Sequence, residues 1–133
     1  MNWKELIRKK YSRDNGWLAE LVSSEHEDVP FSGVHSYVVV VKPKKYRAMH
    51  YHKIKEEWLA IVAGKLKVVL EDVETKEKKE IILDEDSVEY TLLYIPPMVA
   101  HVVKNISRKN ASVVVFSKEG EIPGDTIDYK MEV

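Results

Sequence analysis

The sequence predicts an all-β fold, a sandwich or barrel, fronted by one short N-terminal helix. Three observations carry the prediction. About eight short runs rich in β-branched and aromatic residues follow one another from residue 34 to residue 117, with turn signals between them. One of them, "KLKVVL", sets Lys65 and Lys67 against Leu66, Val68 and Leu70 in the period-2 alternation of a half-buried strand. Only the stretch at the N-terminus carries a helical pattern.

That stretch is "NWKELIRKKY". Asn2 followed three positions later by Glu5 fits a capping box, and Trp3, Leu6 and Ile7 fall on one helical face. In "RDNGWLAELVS" the pair Asn15-Gly16 signals a turn and "WLAELV" a strand. "EHEDVPFSG" reads as a loop punctuated by Pro30 and Gly33. The strands then follow as "VHSYVVVVK", "YRAMHYH", "EWLAIVAG", "KLKVVLED", "KKEIILD", "EYTLLYIP", "VAHVVKN" and "ASVVVFS". "VETKEKK" between two of them reads as an exposed hairpin. The mixed tail "EGEIPGDTIDYKMEV" either covers an open end of the barrel or exchanges with a neighbouring subunit. No repeat, linker or low-complexity segment interrupts the chain, so residues 1–133 are expected to form a single domain.

Composition bounds the function classes. The 133 residues suffice for one hydrophobic core, and 44% apolar content suits a packed globule. Charge is balanced, with 21 basic and 22 acidic residues, and the basic ones are scattered. That excludes the electrostatic footprint of a nucleic-acid binder. There is no cysteine, hence no disulfide framework and no thiolate chemistry. No signal-like segment or membrane-length apolar run is present, so a cytoplasmic location is expected and no membrane partner. The absence of Cys and Gln, together with 32% charged residues, fits a thermophile.

"MHYHKIKEEWLAIVAG", residues 49–64, holds the chemistry. Residues two apart on a strand share a face, so His50 and His52 project together with Tyr51 opposite. Glu57 follows on the next strand, and His101 lies on "VAHVVKN". Imidazole nitrogens with a carboxylate oxygen suit a borderline divalent ion such as Zn, Mn, Fe or Ni. His50, His52, Glu57 and His101 are the expected ligand set. A lone H-x-H means little, and His26 and His35 read as a solvated loop residue and a strand-start residue. Trp17 and Trp58 read as core or rim, Trp3 as an anchor.

The stretch resembles the first cupin motif, H-x-H-x(3,4)-E-x(6)-G, with His50, His52, Glu57 and Gly64 in place. "PPMVAHVVKN" is similar to the second motif, P-x-G-x(2)-H-x(3)-N, through Pro96, His101 and Asn105, with Met98 where the motif has Gly. The resemblance covers roughly residues 34–117 and implies a cupin jelly roll, a double-stranded β-helix barrel.

Closer resemblances point to sugar chemistry. "RAMHYH" looks like the R-G-L-H-Y-Q of dTDP-4-dehydrorhamnose 3,5-epimerases, which implies a phosphate contact for Arg47 and a catalytic-base role for His50. "LYIPPMVAH" is similar to the L-Y-I-P-P-M-V-W-H of nucleotide-sugar 3,4-ketoisomerases. "HYHKIKEEWLAIVAGKLKV" with the late "GDTIDY" resembles the metal-binding cupin at the C-terminus of capsular-polysaccharide epimerases. All three act on nucleotide-linked keto sugars. The chain departs from the rhamnose epimerases at His52, where they have Gln, at Glu57, where they have Lys, and at Asn15, where they have Arg. Their acid Tyr has no counterpart in "VFSKEGEIPG", and Tyr129 lies too far along to take its place.

The resemblance implies an epimerase or isomerase that enolises a nucleotide-linked 4-keto sugar in cell-surface polysaccharide synthesis. His50 and His101 are its candidate catalytic residues and Arg47 its substrate contact. Two alternatives stand beside it: a metal-dependent cupin enzyme of another class, a dioxygenase or small-sugar isomerase, and a non-catalytic ligand-binding cupin. His50 is either ligand or base; if it is a ligand, Tyr51, His35 or water would have to move the proton. Exposed sheet edges lead to the expectation of a homodimer.

Overall fold

Apolar residues at alternate strand positions give each strand one face that must leave water, and two sheets closing face to face satisfy them all. The computed structural model describes residues 1–22, 26–29 and 35–133. Among these, the strands are β1 (Lys4–Arg8), β2 (Lys10–Arg13), β3 (Gly16–Ala19), β4 (His35–Val41), β5 (Tyr46–His52) and β6 (Glu57–Ala63). They continue as β7 (Lys65–Asp72), β8 (Lys78–Asp84), β9 (Tyr90–Ile95), β10 (Val99–Asn105), β11 (Ala111–Ser117) and β12 (Thr126–Asp128). One sheet runs β1-β9-β6-β11-β4, the other β12-β5-β10-β7-β8, and β2-β3 form a separate hairpin. The all-β expectation holds, and the two-sheet arrangement is consistent with a cupin jelly roll. Pro30 and Gly33, the loop punctuation, lie outside the described residues.

The core fills the space between the sheets. Leu59, Ile61, Leu93, Ile95, Val113 and Val115 come from the first sheet, and Leu66, Val68, Leu70, Ile81, Leu83 and Val103 from the second. Lys65 is exposed while Leu66, Val68 and Leu70 are buried, as the alternation of "KLKVVL" requires. "VETKEKK" forms the exposed β7–β8 turn, where the Asp72 carboxylate accepts from the amides of Glu74 and Thr75 at 2.9 and 3.1 Å.

The expected N-terminal helix is not formed; the segment is extended. β1 pairs antiparallel with β9, Leu6 opposite Leu92. Leu6 and Arg8 are buried and Ile7 is 52% exposed, a period of two rather than 3.6. A helix this short is marginal on its own, whereas β9 offers a whole unpaired edge. Burying Arg8 is offset by a two-pronged pair with Asp28, both bonds 2.8 Å, and by a bond to the Leu21 carbonyl at 2.9 Å.

The tail pairs within its own chain. β12 adds to the edge of β5 in the same chain, with Thr126 opposite His52 and Asp128 opposite His50. Beyond it, Tyr129 and Met131 cover the outer face of the second sheet at Val69, Ala100 and Val102. Among the described residues no helix is long and apolar enough to cross a membrane.

Candidate functional site

Strand β5 breaks its own pleat just before the histidines. His101 of β10 stands opposite His50, but the next residue, Val102, stands opposite Ala48, so Met49 is an extra residue in a β-bulge. Ala48 and Met49 both take positive φ, 73° and 76°. In an unbroken strand residues 47 and 50 would face opposite sides. The extra residue resets the phase, and Arg47 and His50 line the same cavity.

The cavity holds about 160 Å³ and lies between the two sheets. From the second sheet come Arg47, His50, His101 and Val103. From the first come Tyr37, Val39, Glu57, Leu59, Val113 and Val115. His52, Glu57 and His101 are buried, His50 is partly exposed and Arg47 is exposed. One ligand atom from each of His50, His52, Glu57 and His101 falls within a 4.8 Å circle of mutual distances. The structure therefore brings together all four residues that the motif spacing singled out.

Their hydrogen bonds define the site. Glu57 Oε1 lies 3.2 Å from His52 Nε2 and 3.3 Å from His101 Nε2. His101 Nδ1 donates to the Val99 carbonyl at 3.1 Å. A carbonyl and a carboxylate both only accept, so a neutral His101 with its proton on Nδ1 turns a bare Nε2 lone pair towards Glu57. A lone pair aimed at a carboxylate oxygen requires a cation between them, either a proton or a metal ion. The donor set of imidazole nitrogens and carboxylate oxygen matches a borderline divalent ion, so the residues present fit one.

Electrostatics separates the members. Burial, then the charges of His101 and His52, lower the pKa of His50 from 6.5 to about 4, so it is neutral at physiological pH. Burial pushes the Glu57 carboxyl up, but hydrogen bonds to His101 and His52 and their charge outweigh it and hold the group ionised. Tyr37 donates to Glu57 Oε2 at 2.7 Å. Burial, with the Glu57 charge and hydrogen bond, raises its phenol well above the ordinary value.

Several residues fall elsewhere. Tyr51 faces away, its ring 5.9 Å from that of Tyr129, and Tyr129 donates to Glu71 on the outer face. His35 is exposed at the start of β4, with its ring 5.8 Å from Tyr37. Trp58 is core, 2% exposed, with its ring tilted against that of Tyr94. Asn15 sits in the β2–β3 turn.

Two residues escaped sequence reasoning. Tyr37 belongs to the inward phase of "VHSYVVVV" with Val39 and Val41, and that alternation was the signal available. Asp125 is 2% exposed, with Oδ2 3.5 Å from His52 Nδ1, and the sequence marks it only as part of a polar tail.

Solved structures resemble the chain over most of its length. A dTDP sugar isomerase from Desulfovibrio desulfuricans G20 superposes with a TM-score of 0.85 at 18% identity, covering 97% of this chain and 84% of that one, a likeness of fold. A 3,4-ketoisomerase from Helicobacter canadensis gives 0.77 at 25% identity, over 96% and 90%. The 3,5-epimerase RmlC from Legionella pneumophila Philadelphia 1, in complex with dTDP-4-keto-L-rhamnose, gives 0.79 at 16%, over 95% and 71%. No curated protein sequence matches the chain. The family profile described as "FdtA: WxcM-like, C-terminal" matches residues 2–131. That match spans nearly the whole chain, both motifs and all four clustered residues: the chain belongs to the family described as FdtA, WxcM-like, C-terminal.

Proposed function

We propose that this protein is an epimerase or isomerase that enolises a nucleotide-linked 4-keto sugar, built as one cupin domain over residues 1–133 and acting in cell-surface polysaccharide synthesis. The observation that carries the reading is a neutral, partly exposed histidine, His50, sharing one small cavity with an arginine and a phenol above a buried His/Glu/His set.

A 4-keto group acidifies the C–H bonds beside it. His50 faces the cavity with its proton-accepting form populated, which suits a general base. The buried His52, Glu57 and His101 would hold a divalent ion, with His50 close enough to complete the set when no substrate is present. Such an ion, when bound, supplies Lewis-acid stabilisation to an enolate oxygen. Tyr37 is the one hydroxyl among the described residues lining the cavity, and its raised pKa keeps it protonated and able to donate. Pockets for drug-sized ligands run about 300–1,000 Å³. At about 160 Å³ this one admits a sugar ring, leaving the diphosphate outside against exposed Arg47.

The functional unit proposed is a homodimer. β4 ends its sheet, and its outward residues Val38 and Val40 are 63% and 49% exposed. A monomeric mass at micromolar concentration contradicts this.

The test is elemental analysis of the purified protein and of His52→Ala, beside deuterium exchange into dTDP-, UDP- and GDP-linked 4-keto sugars. About one ion per chain, absent in the variant, with exchange at the carbon next to the ketone, is the expected result. Ion without exchange favours a metal cupin of another class. Neither ion nor exchange, with a ligand-raised Tm, leaves a binding protein.

A further inference from the structure

The turn of residues 53–56 joins the strand that ends on His52 to the strand that begins with Glu57. Three successive amides of this turn converge on one residue. The Lys53 amide donates to the Asp125 carbonyl at 3.1 Å, the Ile54 amide to Asp125 Oδ1 at 2.7 Å and the Lys55 amide to Oδ2 at 3.2 Å. Successive backbone N–H groups turned to one side form a concavity that suits an anion. Here the group that fills it is a buried side chain of the same chain, 71 positions from Ile54.

The sequence delivers that side chain by a defined turn. In Ile122-Pro123-Gly124-Asp125 the Asp125 amide donates to the Ile122 carbonyl at 3.1 Å, and Gly124 takes φ 74°. Proline second and a left-handed glycine third make a type II β-turn. β12 follows at once and pairs with β5, Thr126 opposite His52. Asp125 is therefore placed from both ends, by the turn before it and the strand after it.

The 53–56 turn needs such a hold. β5 belongs to the second sheet and β6 to the first, so the turn crosses between them. Ladder bonds fix register within a sheet; the reach from His52 to Glu57 depends on the crossing. From the β10 side the His52 carbonyl accepts from the Met98 amide at 2.8 Å, which secures the end of the strand but not the turn beyond it. Asp125 Oδ2 also lies 3.5 Å from His52 Nδ1, longer than either bond from the carboxylate to the turn amides.

We propose that Asp125 is a positioning residue of the site: by holding the three turn amides it sets the reach between His52 and Glu57 and so brings Nε2 and Oε1 to 3.2 Å. The effect on a bound ion rests on the metal reading above; the hold on the turn does not. A site whose supporting groups are removed is present but loose.

The experiment compares wild type, Asp125→Ala, Asp125→Asn and Met131→Ala as full-length chains. Met131 is buried on the outer face of the second sheet, so its truncation loosens the C-terminal segment without touching the turn. Amide hydrogen exchange on the chelator-treated proteins reports the hold on residues 53–55. Titration with Zn²⁺ reports affinity, the visible absorption of the Co²⁺-loaded proteins reports ligand geometry, and thermal melts report folding.

The expected wild-type protein has slow amides at Lys53, Ile54 and Lys55. Asp125→Ala frees those at Ile54 and Lys55, weakens Zn²⁺ by about 10- to 100-fold and changes the Co²⁺ spectrum; that loss is usual for a partner behind a metal ligand. Met131→Ala melts earlier but keeps the wild-type affinity and spectrum. Fast turn amides in the wild type overturn the proposal, as does an Asp125→Ala protein with wild-type exchange, affinity and spectrum. A Met131→Ala protein that loses as much affinity as Asp125→Ala also overturns it, by assigning the effect to the segment as a whole. If Asp125→Ala does not fold, Asp125→Asn decides: a smaller loss at Lys55 and in affinity supports the proposal, and wild-type values overturn it. If the wild type takes up no Zn²⁺, the metal reading fails by itself and the exchange pattern decides whether Asp125 holds the turn.

Discussion

The Tyr37 hydroxyl donates to Glu57 Oε2 at 2.7 Å, leaving Oε1 as the single carboxylate oxygen that faces both His52 and His101. Two sheet positions twenty residues apart are thereby joined in one site, a phenol on an edge strand and a carboxylate on a central one. If Tyr37 returns the proton during turnover, Tyr37→Phe keeps the metal and loses exchange. The expected fall in deuterium incorporation is about 10²- to 10⁴-fold, the range for a positioned acid or base. Elemental analysis of the same sample checks that the ligands survive.

The acid limb of stability follows from His50. Its proton is taken up near 6.5 in the unfolded chain and near 4 in the folded one. Between those values the unfolded state binds more protons, so stability rises with pH across the window and is lost as pH falls from 6.5 to 4. Glu57, with its lowered pKa, acts in the same direction at more acid pH: its contribution is present above the ordinary carboxylate range and is lost as pH falls through the folded value. His50 is partly exposed, so its slope stays below the about 1.4 kcal/mol per pH unit of one fully linked proton. Melting the metal-free protein from pH 4 to pH 7 shows the rise, and His50→Asn flattens it.

Two positions where the related motifs carry glycine carry side chains here, and both are left-handed: Ala48 at φ 73° and Met98 at φ 65°. A side chain at such a φ costs about 1–2 kcal/mol, while a glycine loses about 0.5–1 kcal/mol through the greater freedom of the unfolded chain. Ala48→Gly therefore stabilises by about 0.5–1 kcal/mol. The readout is a Tm higher by roughly 2–5 °C at unchanged metal content. Met98→Gly relieves the same strain but gives up a partly buried side chain, so its gain is the smaller of the two.

Gly64 shows the converse. At φ 86°, an added Cβ would stand 2.7 Å from Ala111 Cβ and 2.8 Å from Ala111 Cα, with backbone and side chain both in the way. Gly64→Ala combines backbone strain with overpacking and is expected to destabilise by about 2–4 kcal/mol. Urea denaturation gives the value, and an unchanged midpoint would contradict the geometry.

The strands from β4 to β11 were legible because each carries its alternation and its turn residues locally. The four clustered residues were legible because a strand fixes which neighbours share a face. The N-terminus was not: Trp3, Leu6 and Ile7 satisfy a helical spacing as well as a strand does, and what decides is the unpaired edge of β9, a distant partner. Tyr37 and Asp125 escaped for the same reason. Their roles depend on which strands meet across the sandwich and along the β5 edge, and no local pattern encodes that. The bulge at Met49 was equally hidden, since it inverts the facing of Arg47 that simple alternation would assign.

The pairing of Thr126 with His52 joins residues 74 positions apart in the chain. A ribosome working at about 5–20 residues per second needs roughly 4–15 s to travel from one to the other. Through that interval the nascent chain holds both β5 histidines without the strand that covers their edge or the carboxylate behind His52. The centre is thus made in two instalments: its first ligands leave the ribosome well before the residues that pair with their strand.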